Sequence, residues 1–297
     1  MSDVLNELLD LLQLETLEQN LYRGQSQNLG WGRIFGGQVV GQALSAASHT
    51  VPSDRVVHSL HAYFLRTGEV DKPIVYEVDR IRDGRSFTTR RVVAIQDGRA
   101  IFNLAASFQV EEEGFEHADP MPPAPEPEDL LSEEQMGRKI ADRIPPQFKP
   151  IALARRPIEI RPAKPLNPFK PVHRPPTKQI WLRAAGPLPD DPAVHRYLLA
   201  YASDFQLLTT ALQPHGVSWI SPRIKIASVD HAMWFHRPFK MDEWLLYDID
   251  SPSMSGGRAL VRGRIFDRSG SLVASVAQEG LTRDRSRKGA EHTPAGG

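Results

Sequence analysis

An α+β fold, with one helix wrapped by a long antiparallel sheet and the unit made twice in tandem, is the class this 297-residue sequence predicts. Three observations predict it: an internal repeat, runs of strand-like residues, and turn dipeptides between those runs. FGGQVVGQAL (35–44) resembles SDFQLLTTAL (203–212), with Gln38 and Gln206 ahead of Ala43-Leu44 and Ala211-Leu212. HSLHAYFLR (58–66) resembles SVDHAMWFHR (228–237), and AIQDGRAIFNLAASF (94–108) resembles FDRSGSLVASVAQEG (266–280). The offsets drift only between about 168 and 172 residues, the size of loop insertions.

The elements follow in order. Leu5, Leu8, Leu9 and Leu12 recur at i, i+3, i+4, i+7 and predict an amphipathic N-terminal helix. LEQNLYRGQ (17–25) reads as an early strand and 36–48 as the first central helix. Four β-branched and aromatic runs follow: VVHSLHAYFLR, PIVYEVDRIR, FTTRRVVAIQ and AIFNLAASFQV. In the second half KQIWLRAAG (178–186) matches the early strand, and 204–213 reads as the second central helix. IKIASVDHAMWFHRP, EWLLYDIDS, ALVRGRIFD and SLVASVAQEGLTR then supply its strands. Asp83-Gly84, Asp97-Gly98 and Ser269-Gly270 mark hairpin turns. The resulting domains are 1–110, a connector 111–177, 178–284, and a polar tail 285–297 expected to be disordered.

Charge is balanced overall, with 36 basic and 36 acidic residues, but not locally. Residues 111–134 carry ten Asp/Glu and no Lys/Arg, whereas 138–183 carry twelve Lys/Arg against Asp142 and Glu159. Eighteen of the 25 prolines lie between Pro120 and Pro192. Proline removes ladder donors, so the connector is expected to run over the surface, its charge blocks pairing with each other or across a subunit contact. The zero net charge argues against nucleic acid as a partner. The absence of cysteine excludes disulfides, zinc thiolates and a thiol nucleophile. An acidic N-terminus without a basic region does not read as a signal peptide, no apolar run is long enough to span a membrane, and Ala-Gly-Gly is not a peroxisomal address; a cytoplasmic protein is expected. No G-x-S-x-G elbow, Walker loop, dinucleotide fingerprint or H-E-x-x-H is present.

GRIFGGQVVGQAL, VHSLHAYFLRTG, RDGRSFTTRRV, SDFQLLTTAL, DHAMWFHRPF and VASVAQEGLTR closely resemble the acyl-CoA thioesterase II family, a group of double-hotdog hydrolases. The resemblance covers roughly residues 5–283. It implies a tandem hotdog fold, hydrolysis of fatty acyl-CoA to free acid and CoA-SH, no cofactor and no metal, and assembly into a dimer or tetramer. It also implies a water-activating trio of Asp204, Ser228 and Gln278. Many family members carry Thr where this chain has Ser228; the hydroxyl is kept.

Each residue also has a plainer reading. Asp204 at the head of a helix would be an N-terminal capping carboxylate, which lowers its pKa and weakens it as a base. Ser228 would be a small sheet residue. Gln278 interrupts an apolar strand, and a buried amide there needs partners. In the repeat, Gly36, His58 and Ala106 stand opposite Asp204, Ser228 and Gln278, so half one lacks the trio and supplies walls. His61 and His231 occupy matching places and read as packing residues; His58 and His61 point to opposite faces and form no metal pair. His58, Gly37, Arg155 and Arg156 are candidate substrate contacts, the two arginines for the phosphates of CoA. Two other functions stay open: a non-catalytic acyl-CoA sensor, and a hotdog enoyl-CoA hydratase, which would need a His/Asp pair that Asp204-Phe205-Gln206 does not offer.

Overall fold

The computed structural model describes residues 3–286. Half one runs α1 (Asp3–Leu12), β1 (Glu15–Glu18), β2 (Leu21–Gly24), α2 (Gly36–Ser48), β3 (Arg55–Phe64), β4 (Ile74–Asp83), β5 (Phe87–Gln96) and β6 (Arg99–Val110). The connector contains the short helices α3 (Glu133–Lys139) and α4 (Lys149–Ala152). Half two runs β7 (Ile158–Pro162), β8 (Thr177–Ala184), α5 (Pro192–Ala202), a 3-10 segment (Leu208–His215), β9 (Ile224–Ser228), β10 (Asp230–Phe235), β11 (Leu245–Ser255), β12 (Arg258–Asp267) and β13 (Leu272–Asp284).

The strands form one continuous antiparallel sheet in the order β1-β2-β4-β5-β6-β3-β10-β13-β12-β11-β8-β7, with β9 pairing β13. β2-β4-β5-β6-β3 of half one is the mirror order of β10-β13-β12-β11-β8 in half two, so the halves are related by an approximate two-fold axis. They join at β3–β10, where Ala62 faces His231 and His61 faces Ala232. β-branched and aromatic side chains on one face of the strands bury onto α2 in half one and mainly onto the 3-10 segment in half two, with α5 packed against α2, giving one core that includes Val40, Leu44, Leu60, Leu104, Leu199 and Val261. Positive φ at Asp97 and Gly98, and at Gly256 and Gly257, lets the chain reverse between paired strands with matching twist. Arg90, wholly buried, donates through all three nitrogens to Thr50, Asp83 and the carbonyls of Thr50, Arg82 and Thr89. It clamps the end of α2 to the β4–β5 hairpin, which explains the RDGRSFTTRR run.

Three expectations about the repeat change. The second central helix is not 204–213: α5 spans Pro192–Ala202, opened by the Asp191 cap and by Pro192 at its first turn. Beyond it, Gln206 takes a positive φ of 62°, and Pro214 lies inside the following segment, which holds a 3-10 rather than an α geometry. Gly36 therefore is not the counterpart of Asp204; α2 starts at Gly36 and α5 at Pro192, whereas Asp204 follows its helix. His61 and His231 are not equivalent in environment. His61 is exposed with its edge on Trp234, and His231 is buried on the opposite face.

The connector is not only a surface strap. Its strand β7 extends the sheet by pairing with β8. Met121, Ala124 and Leu130 cover a second apolar layer of Trp181, Trp244, Leu246 and Phe266 on the outer face of half two. Trp181 Nε1 donates to the Pro125 carbonyl at 2.7 Å. The acidic block pairs mainly with arginines of half two: Glu126 and Glu128 with Arg268, Asp119 with Arg264, and Glu116 with Arg237. Among the described residues, Glu134–Arg138 and Glu133–Arg156 are the close ion pairs that join the acidic block to the basic one. Residues 287–297 of the expected tail lie outside the described residues. No helix among the described residues is long and apolar enough to cross a membrane.

α2 and α5 cross at closest approach where a Cβ on Gly37 would stand 2.1 Å from the Tyr201 carbonyl oxygen. Backbone cannot yield there as a flexible side chain would. Gly37→Ala is expected to cost about 2–3 kcal/mol, lowering Tm by several degrees in a thermal melt; an unchanged Tm would show that the helices are free to separate.

Candidate active site

The site lies on the seam between the halves. Ser203 caps the C-terminal end of α5, and Asp204 follows it. The first residue ahead of α2, Phe35, offers no side-chain cap. The open helix end is met instead by Asp204 of the other half: Gly37 N–H donates to Asp204 Oδ2 at 3.1 Å. The carboxylate is a capping group after all, but for a helix 167 residues away in sequence. A Cβ on Gly36 would stand 2.7 Å from the same oxygen, so Gly36-Gly37 gives this carboxylate room.

β9, β10 and β13 bring up the other groups. Ser228 ends β9 opposite Gly280 of β13. Gln278 on β13 is 1% exposed, so its amide needs internal partners. It has them on both ends: Gln278 Nε2 donates to Ser228 Oγ at 2.6 Å, and its Oε1 lies 2.8 Å from His231 Nδ1. A carbonyl oxygen only accepts, so the imidazole carries its hydrogen on Nδ1 and dictates which way the amide faces. His231 Nε2 contacts Ser203 Oγ at 2.9 Å, and Tyr247 Oη donates to the Ser203 carbonyl at 2.9 Å. The turn that presents Asp204 is thus pinned from two strands.

Burial pushes the Asp204 carboxyl above the ordinary carboxylate range. The His231 charge, hydrogen bonding from Gln278, the Gly37 N–H and Arg33 each pull it down, without cancelling the desolvation. The helix-end cap therefore does not leave a weak, strongly acidic group. Tyr247 shifts in the same direction, its phenol raised by burial and then by the Asp204 charge.

Asp204 and Ser228 open into a cavity of about 980 Å³ that also receives Gly36, Trp31 and Phe64 from half one. Met136, Ile140, Ile144, Phe148 and Ile151 of the connector form an apolar wall, and Arg33, Arg66, Arg156 and Lys164 add positive charge. Hydrophobic walls with a few convergent polar groups are the arrangement small-molecule sites use.

The structure brings Asp204, Ser228 and Gln278 together and puts Gly37 on the carboxylate. Ala106, the half-one counterpart of Gln278, is buried and apolar. His58 does not join them: it contacts Ser107 Oγ at 2.8 Å and the edge of Phe87. Arg156 lines the cavity beside Glu133, 3.9 Å away, whereas Arg155 is exposed and outside the lining. His231 is the site residue sequence reasoning assigned to packing. Its only sequence signal is the pairing of a polar ring with Gln278 on strands that each look apolar. The fold does supply an Asp204–His231 neighbourhood, but both imidazole nitrogens are engaged and the ring is fully buried, so it presents no group to a ligand. Among the described residues there is no cluster of three metal-ligating side chains.

The family model described as acyl-CoA thioesterase matches residues 150–281, and the acyl-CoA thioesterase N-terminal domain matches 26–109. Acyl-CoA thioesterase 2 of Haemophilus influenzae is 44% identical over 283 residues, covering 95% of this chain and 99% of its own. Human acyl-coenzyme A thioesterase 8 is 42% identical, covering 92% and 88%. The crystal structure of an acyl-CoA thioesterase II from Mycobacterium marinum superposes with a TM-score of 0.74 at 44% identity, over 93% of this chain and 98% of that one. A hotdog protein of unknown function from Alicyclobacillus acidocaldarius gives the same TM-score at 21% identity and shares the fold. With both halves matched in order, and with relatives this similar along nearly the whole chain, the protein is a thioester hydrolase with the double-hotdog fold and belongs to the acyl-CoA thioesterase II family.

Proposed function

We propose that this enzyme hydrolyses acyl-CoA to free acid and CoA-SH by attack of a water held by Asp204, Ser228 and Gln278. The observation that carries the reading is the convergence, on one cavity wall, of a desolvated carboxylate and a hydroxyl whose amide partner is oriented from behind by His231. The apolar connector wall suits an acyl chain, and the cationic groups suit the phosphates of CoA. Of the arginines expected to serve those phosphates, Arg156 is the one with access to the cavity.

Asp204 takes the proton of the water as its oxygen attacks the thioester carbonyl carbon. Its raised pKa brings it closer to neutrality and makes it a better base than an ordinary carboxylate. Ser228 and Gln278 fix the angle of the water, so the step is not diffusional. The tetrahedral intermediate then expels the CoA thiolate, and the proton held on Asp204 is available to it. Collapse of the intermediate regenerates the carboxylate.

Asp204→Asn keeps size and the Gly37 contact but loses the base. We expect kcat to fall about 10²–10⁴-fold, followed as thiol release from decanoyl-CoA with a dye that meets no protein thiol in this cysteine-free chain. The folded pKa is raised, so the ionised group costs stability at neutral pH, and the variant should melt no lower than wild type. Wild-type turnover in the folded variant would remove Asp204 from the mechanism. Single-turnover hydrolysis in ¹⁸O-water tests the rival anhydride route: label in Asp204 supports the anhydride, label only in the acid supports water.

The base must be ionised to act. As pH falls through the raised pKa, kcat/KM should decline, with an acid limb above the ordinary carboxylate value of 3.8. A limb at or below that value in the pH–rate profile would contradict the assignment.

A further inference from the structure

Two residues beyond Asp204 the chain adopts its only positive-φ non-glycine conformation in half two among the described residues, at Gln206. Such a backbone persists only where its surroundings over-determine it. Here they do. Lys178 Nζ, on β8, donates to the Gln206 carbonyl at 3.1 Å, to Gln206 Oε1 at 2.9 Å and to Thr209 Oγ1 at 2.8 Å. Thr209 and Thr210 hydroxyls donate to the same carbonyl at 2.9 and 3.1 Å. Gln206 Nε2 reaches across to Glu133 Oε1 of α3 at 2.5 Å. Lys178, Gln206 and Glu133 all line the cavity that Asp204 enters.

We propose that Lys178 is a positioning residue for hydrolysis: its ammonium locks the left-handed turn at Gln206 that aims Asp204, and Glu133 ties that turn to the connector wall. The inference rests on Asp204 being the base. Lys178 does not touch the reacting atoms; it acts through the turn. Three acceptors surround Nζ, which matches the three N–H groups of an ammonium, whereas a neutral amine has two and a lone pair. The lock is therefore a property of the charged form.

The surroundings make that charge titratable. Burial lowers the Lys178 pKa to about 8, with the Glu133 charge raising it in part. Glu133 is itself 3.9 Å from Arg156. On β11 the register partner of Lys178 is the apolar Ile249, and the flanking Asp248 and Asp250 are paired with Arg264 and Arg262. On β7, Glu159 is held by Arg161 and Arg183. The loop itself presents Asp204, and its His215 is exposed. Of these, Glu133 is the acidic group whose charge bears on Lys178. Above the Lys178 pKa the amine is neutral and the lock loosens, so kcat should fall on the alkaline side near pH 8.

The test uses the full enzyme and decanoyl-CoA. Lys178→Met is expected to lower kcat roughly 10-fold with KM changed less than about threefold, and to abolish the alkaline limb. Combined with Asp204→Asn, it should add no further loss, since a group that acts through Asp204 has nothing left to position. Glu133→Gln keeps Lys178 but removes the charge that favours its protonation, so the limb should move to lower pH; this variant decides the matter if Lys178→Met does not fold. Unchanged kcat in folded Lys178→Met, a multiplicative loss in the double variant, or an alkaline limb unmoved in both single variants would overturn the proposal. Wild-type turnover in Asp204→Asn would instead overturn the underlying site assignment, which separates the two failures.

Discussion

The approach of α2 to α5 governs the geometry of everything around it. An uncapped helix end leaves N–H groups that must find acceptors. Here the acceptor is a carboxylate from the opposite half, and Gly37 lets the two backbones come close enough for it to reach. The contact does two things at once. It stitches the tandem halves together at the point where their helices cross, and it holds Asp204 in a place where water is largely excluded. The favourable hydrogen bond and the unfavourable desolvation act on the same group. Desolvation wins by direction, which leaves a carboxylate that is positioned, ionisable and more basic than one at a solvent-exposed helix end.

Around that contact the halves have diverged in role. Half one contributes a helix N-terminus and cavity walls, with Ala106 where half two has Gln278. Half two contributes the polar groups, and His231 organises them. A buried amide can face either way; a ring N–H on one side and a hydroxyl on the other leave one satisfied orientation. Polar groups in a low-dielectric interior tolerate no loose ends, so the arrangement is rigid for the same reason that it is costly to disturb. The connector completes the enclosure. Its aromatic and aliphatic side chains wall the cavity while its acidic residues are held by arginines of half two.

Much of this was legible locally. Strand β5 falls on the FTTRRVVAIQ run, and β3, β4, β6, β12 and β13 lie within a residue or two of theirs, because period-2 alternation and turn residues act over a few positions. The IKIASVDHAMWF run divides at Val229 into β9 and β10, since the chain there switches from pairing β13 alone to bridging β13 and β3. The second helix was misplaced because SDFQLLTTAL imitates FGGQVVGQAL in composition, while α5 is set by the Asp191-Pro192 start and the left-handed Gln206. Lys178 and Glu133 gave no signal at all, one lying inside a strand run and the other inside a charge block.

By itself the sequence determined the tandem α+β architecture, the family resemblance and the three polar side chains of half two, since residue identity and short-range periodicity are written along the chain. Only the tertiary structure decided that Asp204 caps the helix of the other half, that His231 rather than His58 stands behind Gln278, and that the connector walls the cavity. Those are contacts between residues far apart in sequence. Their energies depend on which groups lose water together, and that is set by how the sheet closes around the two helices.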